Sequence, residues 1–375
     1  MKLFQRLLVA PAALGLLGPL AVNATEVNLD EISNFSDLGS LEISNSFDNE
    51  ELNETQLIAG GEGLVDTYEG GFSETTSASF SADFAIGAVD GVTGEEAVTS
   101  AYGFQIDLST SFTGEDSFDV SLDAGNGTDG TLDELDLNSG GDQLTVDGIA
   151  YTFPLGDKTT VFVGDSMDGS TLYSTACVYG GVTNTLDDCG NGSSAMAGGS
   201  GTAAGASFDI GGGFTAALGY TGDGTTEGFM TIEGKDAYGG QITYTGDAYG
   251  ASVTYAMVDS TDTTTYWGFN GYWTPAETGT AIPSISVGYE FGDPTNGVDT
   301  EQWFIGLQWD EMGPGVLGAA VGTNGAINEG ATDYYMYEAF YSYPINDGVT
   351  ITPLIYVSEG TTETTGIMVK TSFSF

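Results

Sequence analysis

The sequence predicts an all-β fold, a transmembrane antiparallel β-barrel of about sixteen strands closed by a final strand that ends at Phe375. Three observations lead to this prediction. The chain begins with an export signal, and it ends on an alternating segment with an aromatic last residue. Between them, from Ser77 onward, alternating segments of roughly ten residues are separated by turn residues.

The amino-terminal residues 1–24 have the pattern of a secretory signal peptide. A basic start with Lys2 and Arg6 precedes an apolar run and the small-residue ending V-N-A, which predicts cleavage after Ala24. The rest of the chain has no apolar run of the roughly 20 residues that a transmembrane helix needs. An exported chain of this kind enters a bilayer only as a closed barrel, because every backbone polar group in hydrocarbon must be paired. We therefore expect it in the cell outer membrane.

Residues 25–76 are rich in Asp and Glu and keep no strand pattern, so we expect an acidic, flexible segment there. Disorder of the whole chain is the alternative that its acidity raises. That alternative fits poorly with a chain that is 40% hydrophobic and 11% aromatic. The predicted barrel therefore occupies residues 77–375.

The carboxy-terminal residues 366–375, G-I-M-V-K-T-S-F-S-F, alternate between two faces. Successive side chains of a strand point to opposite faces, so Lys370 lies opposite Val369 and Thr371. A chain that ends on such a strand with an aromatic last residue resembles the recognition signal of bacterial outer-membrane proteins. A soluble β-sandwich whose last strand ends in Phe is the alternative.

Connection lengths give an independent test of the barrel. If Phe375 ends at the periplasmic rim, short periplasmic turns must alternate with longer extracellular loops. Short turns rich in Gly and Asp fall at 113–115, 156–158, 211–213 and 346–348. Long polar connections fall at 126–142, 167–203, 222–238 and 292–299. The two sets have opposite parity, and only 274–281 is too long for the short set.

Strand parity also predicts which side chains line a lumen. A charge facing lipid costs about 2–4 kcal/mol near the midplane, so strand acids should face inward, with an interfacial ring as the alternative. Aromatic side chains facing inward would offer flat faces for sugars, with an interfacial girdle as the alternative. The pore-lining candidates are Asp107, Asp119, Asp123, Glu290, Glu338, Lys370, Phe304, Tyr334 and Tyr356.

The longest connection, 167–203, contains the two cysteines of the chain, Cys177 and Cys189. In an oxidising compartment such a pair predicts a disulfide. A metal site formed with Asp187 and Asp188 is the alternative, but stable zinc sites take four ligands. We therefore expect neither a metal nor a cofactor.

Composition excludes several function classes. The chain has no His, which removes Ser-His-Asp and Cys-His catalysis. Without residues 1–24 it keeps three lysines and no Arg against 54 acidic residues, a formal charge of −51. Nucleic acid is excluded as a partner, because neutralising phosphates requires clustered Lys or Arg. Two alternatives stay open, an enzyme that uses carboxylates alone and a non-transporting acidic surface barrel or adhesin. We expect no enzyme, because nothing marks one catalytic pair among so many acids.

Several segments resemble a known family. They are the start M-K-L-F-Q-R-L-L-V-A-P-A-A-L-G-L-L, residues 149–157, residues 304–310 and the ending from Val349 to Phe375. They look like the porins of marine cyanobacteria, which are grouped with the carbohydrate-selective OprB-type porins.

The resemblance implies a channel for small hydrophilic solutes such as carbohydrates or inorganic ions. It also implies that the 167–203 loop, with Asp187 and Asp188, folds inward to narrow the pore. We further expect outer-membrane lipid around the barrel, a homotrimer, and divalent cations at the acidic loops.

The chain departs from the family in two ways. Residues 32–38 look like the opening of a surface-layer-homology module, but the Trp-bearing helices that should follow are absent. General porins commonly set Arg and Lys against acids across the constriction, and this chain keeps no Arg after residue 24. A lumen lined with carboxylates concentrates cations, so the sequence predicts a cation-selective channel.

Overall fold

The computed structural model describes residues 76–91, 97–127, 132–135, 137–138, 141–195, 201–224, 228–231, 234–277 and 281–375. The signal peptide predicted at 1–24 and the acidic segment up to residue 75 lie outside the described residues. Within the described part, the dominant element is one closed antiparallel sheet.

Seventeen strands form this sheet, and sixteen of them make the barrel wall. They are β1 Thr76–Asp90, β2 Thr99–Thr110, β3 Ser117–Gly125, β4 Thr145–Pro154, β5 Thr159–Met167, β6 Gly201–Gly211, β7 Phe214–Gly222, β8 Asp236–Thr245, β9 Tyr249–Asp259, β10 Thr264–Trp273, β11 Ser284–Pro294, β12 Thr300–Met312, β13 Gly315–Thr323, β14 Ile327–Asn328, β15 Tyr335–Asn346, β16 Val349–Ser358 and β17 Thr364–Ser374. The two-residue β14 is the additional strand, and it extends the edge of β12 beyond β13.

Neighbours in sequence are neighbours in the wall, and β17 pairs with β1 to close the ring. At the seam, the amide of Phe375 donates to the carbonyl of Phe80 at 3.0 Å, and the reverse bond measures 2.9 Å. The two rings stack with their centroids 5.6 Å apart. The prediction of a closed barrel of about sixteen strands is confirmed.

The two faces of the wall differ as the sequence alternation predicts. On β11, Ile285, Val287 and Tyr289 point outward and are exposed, whereas Ser286 and Glu290 point inward and are buried. The same alternation holds around the ring, so the outer face is a continuous apolar band with aromatic side chains near both edges. Such a band is the face that a barrel presents to lipid.

Connections divide between two rims. The turn rim holds Phe375 and the short connections, and the loop rim holds the longer ones. The β10–β11 connection at the turn rim is longer than the others there, and the indole of Trp309 donates to the carbonyl of Ala281 within it at 3.1 Å. The 274–281 connection, which the sequence marked as too long for the short set, is therefore also long in the structure.

Helical structure among the described residues consists of one 3-10 turn, Asp133–Leu135, in the β3–β4 loop. No helix in the part of the chain that the structure describes is long and apolar enough to cross a membrane.

Candidate functional site

The β5–β6 connection enters the barrel and lies against its inner wall. We call its described part, residues 168–195, the inner loop. Its backbone amides donate to inward side chains on β8, β9 and β11, from Ser174 to Gln241 at 2.7 Å, from Ala176 to Ser252 at 3.0 Å and from Val178 to Ser286 at 3.0 Å. The loop is therefore a fixed part of the lumen.

Inward glycines give the inner loop room to approach the wall. A Cβ on Gly288 would lie 1.8 Å from the carbonyl oxygen of Cys189, and one on Gly219 would lie 1.9 Å from that of Gly169. Both distances are far below a van der Waals contact, so a side chain at either position would push the loop away. The sequence signal was glycine at inward positions of strands, which often marks a close backbone approach.

Two of the predicted pore-lining acids anchor this loop. Glu338 on β15 accepts hydrogen bonds from the hydroxyl of Tyr179 at 2.5 Å and from the hydroxyl of Thr183 at 2.6 Å. Glu290 on β11 accepts from the amide of Ser194 at 2.5 Å. Both carboxylates face inward as expected, but they are only 4% and 2% exposed because the loop covers them. They hold the loop and do not line open lumen.

A disulfide joins Cys177 and Cys189, with Cα atoms 6.5 Å apart, and so links the two arms of the inner loop.

Of the two constriction candidates, Asp187 is exposed at the tip of the inner loop. Asp188 is partly buried and accepts a hydrogen bond from the amide of Gly190 at 2.7 Å. Burial raises the pKa of the Asp188 carboxyl above its ordinary value.

A second loop also folds inward, which the sequence analysis did not predict. In the β3–β4 connection, Leu132, Leu135 and Leu137 are buried in one apolar cluster with Met336 and Met368 from the wall. The signal was present in the segment T-L-D-E-L-D-L, whose leucines stand out in an otherwise polar loop.

Glu134 connects the two inward loops. Its backbone carbonyl accepts from the amide of Asn184 at 2.9 Å, and its carboxylate accepts from the hydroxyl of Thr185 at 3.1 Å. Burial raises the pKa of Glu134 above its ordinary value. The tip of the inner loop therefore lies between Glu134 of this second loop and Glu338 of the wall.

The predicted aromatic candidates do not offer open faces to a solute. Phe304 is buried against Tyr179 of the inner loop, with ring centroids 5.3 Å apart, and Tyr356 is buried in the same apolar cluster. Tyr334 is half-buried next to the start of β15, at the loop rim. The alternation identified the inward face of β12 and β16 correctly but not the loops that cover it.

The remaining acids form a regular array on β2 and β3, where inward residues stay half-exposed. Asp123 pairs with Gln105, Asp107 with Ser121, and Asp119 with Ser109, so each of three consecutive inward pairs carries one carboxylate. Consecutive pairs are about 6.8 Å apart along the strands. We call Asp123, Asp107 and Asp119 the acidic ladder.

Neutral donors support the carboxylates of the ladder. Asp107 accepts from the hydroxyl of Ser121 at 2.7 Å, and Asp123 accepts from that of Thr145 at 2.6 Å. These bonds fix the carboxylates without cancelling their charge.

Lys370 lies on the inward face of β17, next to Ala85 of β1 and Thr352 of β16.

No group of three or more His, Cys, Asp and Glu residues in the described parts of the chain is arranged to hold a metal ion.

Comparison with known proteins gives no match to a family model and none to a curated protein sequence. Solved structures do match. OprB of Pseudomonas putida, in its high-pH structure, is 11% identical with a TM-score of 0.59, over 80% of this chain and 94% of that one. An anion-selective porin from Comamonas acidovorans is 11% identical with a TM-score of 0.57, over 80% and 99%. A loop L8 deletion mutant of OmpT, an outer membrane protein of Vibrio cholerae, is 9% identical with a TM-score of 0.56, over 80% and 100%. At these identities the similarity establishes the fold, a porin-type barrel.

Proposed function

We propose that this chain is an outer-membrane porin, a passive diffusion channel for small hydrophilic solutes that prefers cations to anions. Barrels of about sixteen strands are wide enough for an aqueous channel, whereas eight-stranded ones are filled by side chains. The apolar outer band supports a place in a lipid bilayer, with the turn rim toward the periplasm and the loop rim outside the cell. The activity proposed is diffusion rather than catalysis, in keeping with the similar solved structures.

The observation that carries the selectivity is the acidic ladder. Asp123, Asp107 and Asp119 lie on a half-exposed part of the inner wall, whereas the inner loop buries the inward residues of β8 to β12 that it contacts. The buried acids Glu290 and Glu338 are engaged with hydroxyl and amide groups as anchors of the inner loop, which leaves the ladder as the acids of the open wall. Fixed carboxylates in a channel raise the local concentration of cations and repel anions.

Inorganic cations are favoured over carbohydrates as the solute. Sugar recognition by stacking needs aromatic faces in the open lumen, and the loops bury Phe304 and Tyr356. Neutral sugars remain compatible with the negative potential, so carbohydrate passage is the second candidate. Two further parts of the proposal are a homotrimer and divalent cations held at the acidic loops, where the chain offers many carboxylates.

Conductance of the purified protein in a planar lipid bilayer tests the proposal. We expect stable open channels whose reversal potential in a potassium chloride gradient has the sign of cation preference. The preference should weaken as salt rises, because the Debye length falls from about 30 Å at 0.01 M to about 3 Å at 1 M. Folded protein without conductance would favour the surface barrel or adhesin. Chloride preference at low salt would show that the acids lie outside the conduction path.

A further inference from the structure

The outer wall of the barrel carries a groove of about 250 Å³ over β3, β4 and β5. Outward side chains line most of it, including Phe118, Ile149, Tyr151 and Val163. The groove is shallow and lies within the apolar outer band, so a lipid against the band can enter it.

A carboxylate lies at the end of this groove nearest the loop rim. Asp165 pairs directly with Ile149 across β4 and β5, so both side chains are on the outward face. The hydroxyl of Thr202 on β6 donates to Asp165 at 2.7 Å. A charge on the outer face is expensive near the bilayer midplane and tolerated near its edge, which matches the place of Asp165 two residues before the end of β5.

We propose that this groove and Asp165 form a binding site for one lipid whose headgroup carries an ammonium group. An acyl chain would occupy the groove against Phe118, Tyr151 and Val163, and the ammonium would pair with Asp165. A carboxylate and an ammonium form a charge-assisted hydrogen bond, which is stronger than a neutral one, particularly where water is scarce. A headgroup with phosphate and no ammonium is repelled by the same carboxylate. This inference rests on the proposed function, because it places this face in lipid.

Native mass spectrometry of the full chain tests the site, with the protein released from detergent micelles that contain one lipid species at a time. The probes are phosphatidylethanolamine, phosphatidylcholine, whose quaternary ammonium donates no hydrogen bond, and phosphatidylglycerol, which has no ammonium. We expect one phosphatidylethanolamine per chain, retained on the order of tenfold better than the other two.

The Asp165→Asn variant should lose this preference. Glu301→Gln is the matched control, because Glu301 is also an outward carboxylate near the loop rim, where the hydroxyl of Tyr289 donates to it at 3.0 Å. Equal retention of the three lipids, preferential retention of phosphatidylglycerol, or an unchanged preference in Asp165→Asn would overturn the proposal.

Bilayer conductance of the same samples separates this inference from the proposed function. Cation-selective channels without lipid preference would refute the lipid site alone. Lipid preference without conductance would refute the channel and leave the lipid site standing. Heat-modifiable mobility on gels confirms that each variant is folded before either measurement.

Discussion

The hydroxyl of Thr183 donates a hydrogen bond to the carboxylate of Glu338 at 2.6 Å, and this contact ties the tip of the inner loop to strand β15. The two residues are 155 positions apart in sequence, because the loop leaves the wall at β5 and its partner lies on β15. The amide of Thr183 donates to the same carboxylate at 3.1 Å. Neutral donors of the inner loop thus hold this buried acid, without any basic partner at that contact.

Removing this acceptor should release the tip of the inner loop. For Glu338→Ala we expect a larger and noisier single-channel conductance, because the donors of Tyr179 and Thr183 lose their common acceptor. Each lost hydrogen bond to a charged group costs about 1.5–3 kcal/mol, so the barrel should also unfold at a lower temperature. Glu363→Gln, an exposed change in the β16–β17 loop, is the control. Unchanged conductance and stability in Glu338→Ala would contradict the anchoring role.

A methyl group added to the inner wall at Gly288 should also displace the inner loop, by steric overlap. In Gly288→Ala the new methyl would lie 1.8 Å from the carbonyl oxygen of Cys189, so the loop must move inward. We expect a lower or unstable conductance in planar bilayers. Gly271→Ala on neighbouring β10 is the matched control, because its Cβ would have no heavy atom nearer than 3.5 Å. If the two variants conduct alike, the loop does not lie against Gly288.

Charge on the acidic ladder should set the selectivity. Asp107→Asn removes the middle carboxylate and keeps its shape, so we expect reduced cation preference at low salt and little change near 1 M, where screening is strong. Lys370→Glu should strengthen the preference, because its side chain faces inward. Asp262→Asn in the exposed β9–β10 loop should leave the reversal potential unchanged. An equal loss of cation preference in Asp107→Asn and Asp262→Asn would mean that surface charge, not the ladder, determines selectivity.

Period-two alternation predicted most of this fold and only part of the site. It placed the sixteen wall strands and the inward faces of Asp107, Asp119 and Asp123, because side-chain parity is a local property of a strand. It could not show that Glu290 and Glu338 are covered, since that depends on where distant loops come to lie. The inward β3–β4 loop was missed for the same reason. Strand β14 is too short, at two residues, to produce a pattern.

Acidification should tighten the contact between the two inward loops. Burial raises the pKa of Glu134 by more than the hydrogen bond from Thr185 lowers it, and Asp133 and Glu338 add smaller increases. A raised pKa in the folded state means that protonation favours the folded contact. The stabilising effect of this protonation is complete below the ordinary pKa of Glu and is lost as the pH rises through the raised pKa of Glu134 in the folded state.

Protease protection of the loops as a function of pH measures this effect. We expect slower cleavage within the inner loop as the pH falls from neutral toward the ordinary pKa of Glu. Glu134→Gln mimics the protonated carboxyl, and it should show slow cleavage with little pH dependence across that range. Cleavage that speeds up on acidification in the wild type, or keeps its full pH dependence in Glu134→Gln, would contradict this account.

The disulfide should keep the inner loop in one conformation. Cys177 and Cys189 enclose the segment that contains Tyr179 and Thr183, so the bond restricts the part of the loop that binds Glu338. Mass spectrometry of non-reduced digests should find the two cysteines linked to each other.

The disulfide restricts the conformations of the unfolded chain, so its loss in a Cys177→Ser and Cys189→Ser double variant should cost about 3 kcal/mol of stability. We expect that variant to keep cation preference, because the acidic ladder lies on β2 and β3, and to show more frequent conductance fluctuations. A double variant with the stability and quiet conductance of the wild type would show that the wall contacts alone hold the loop.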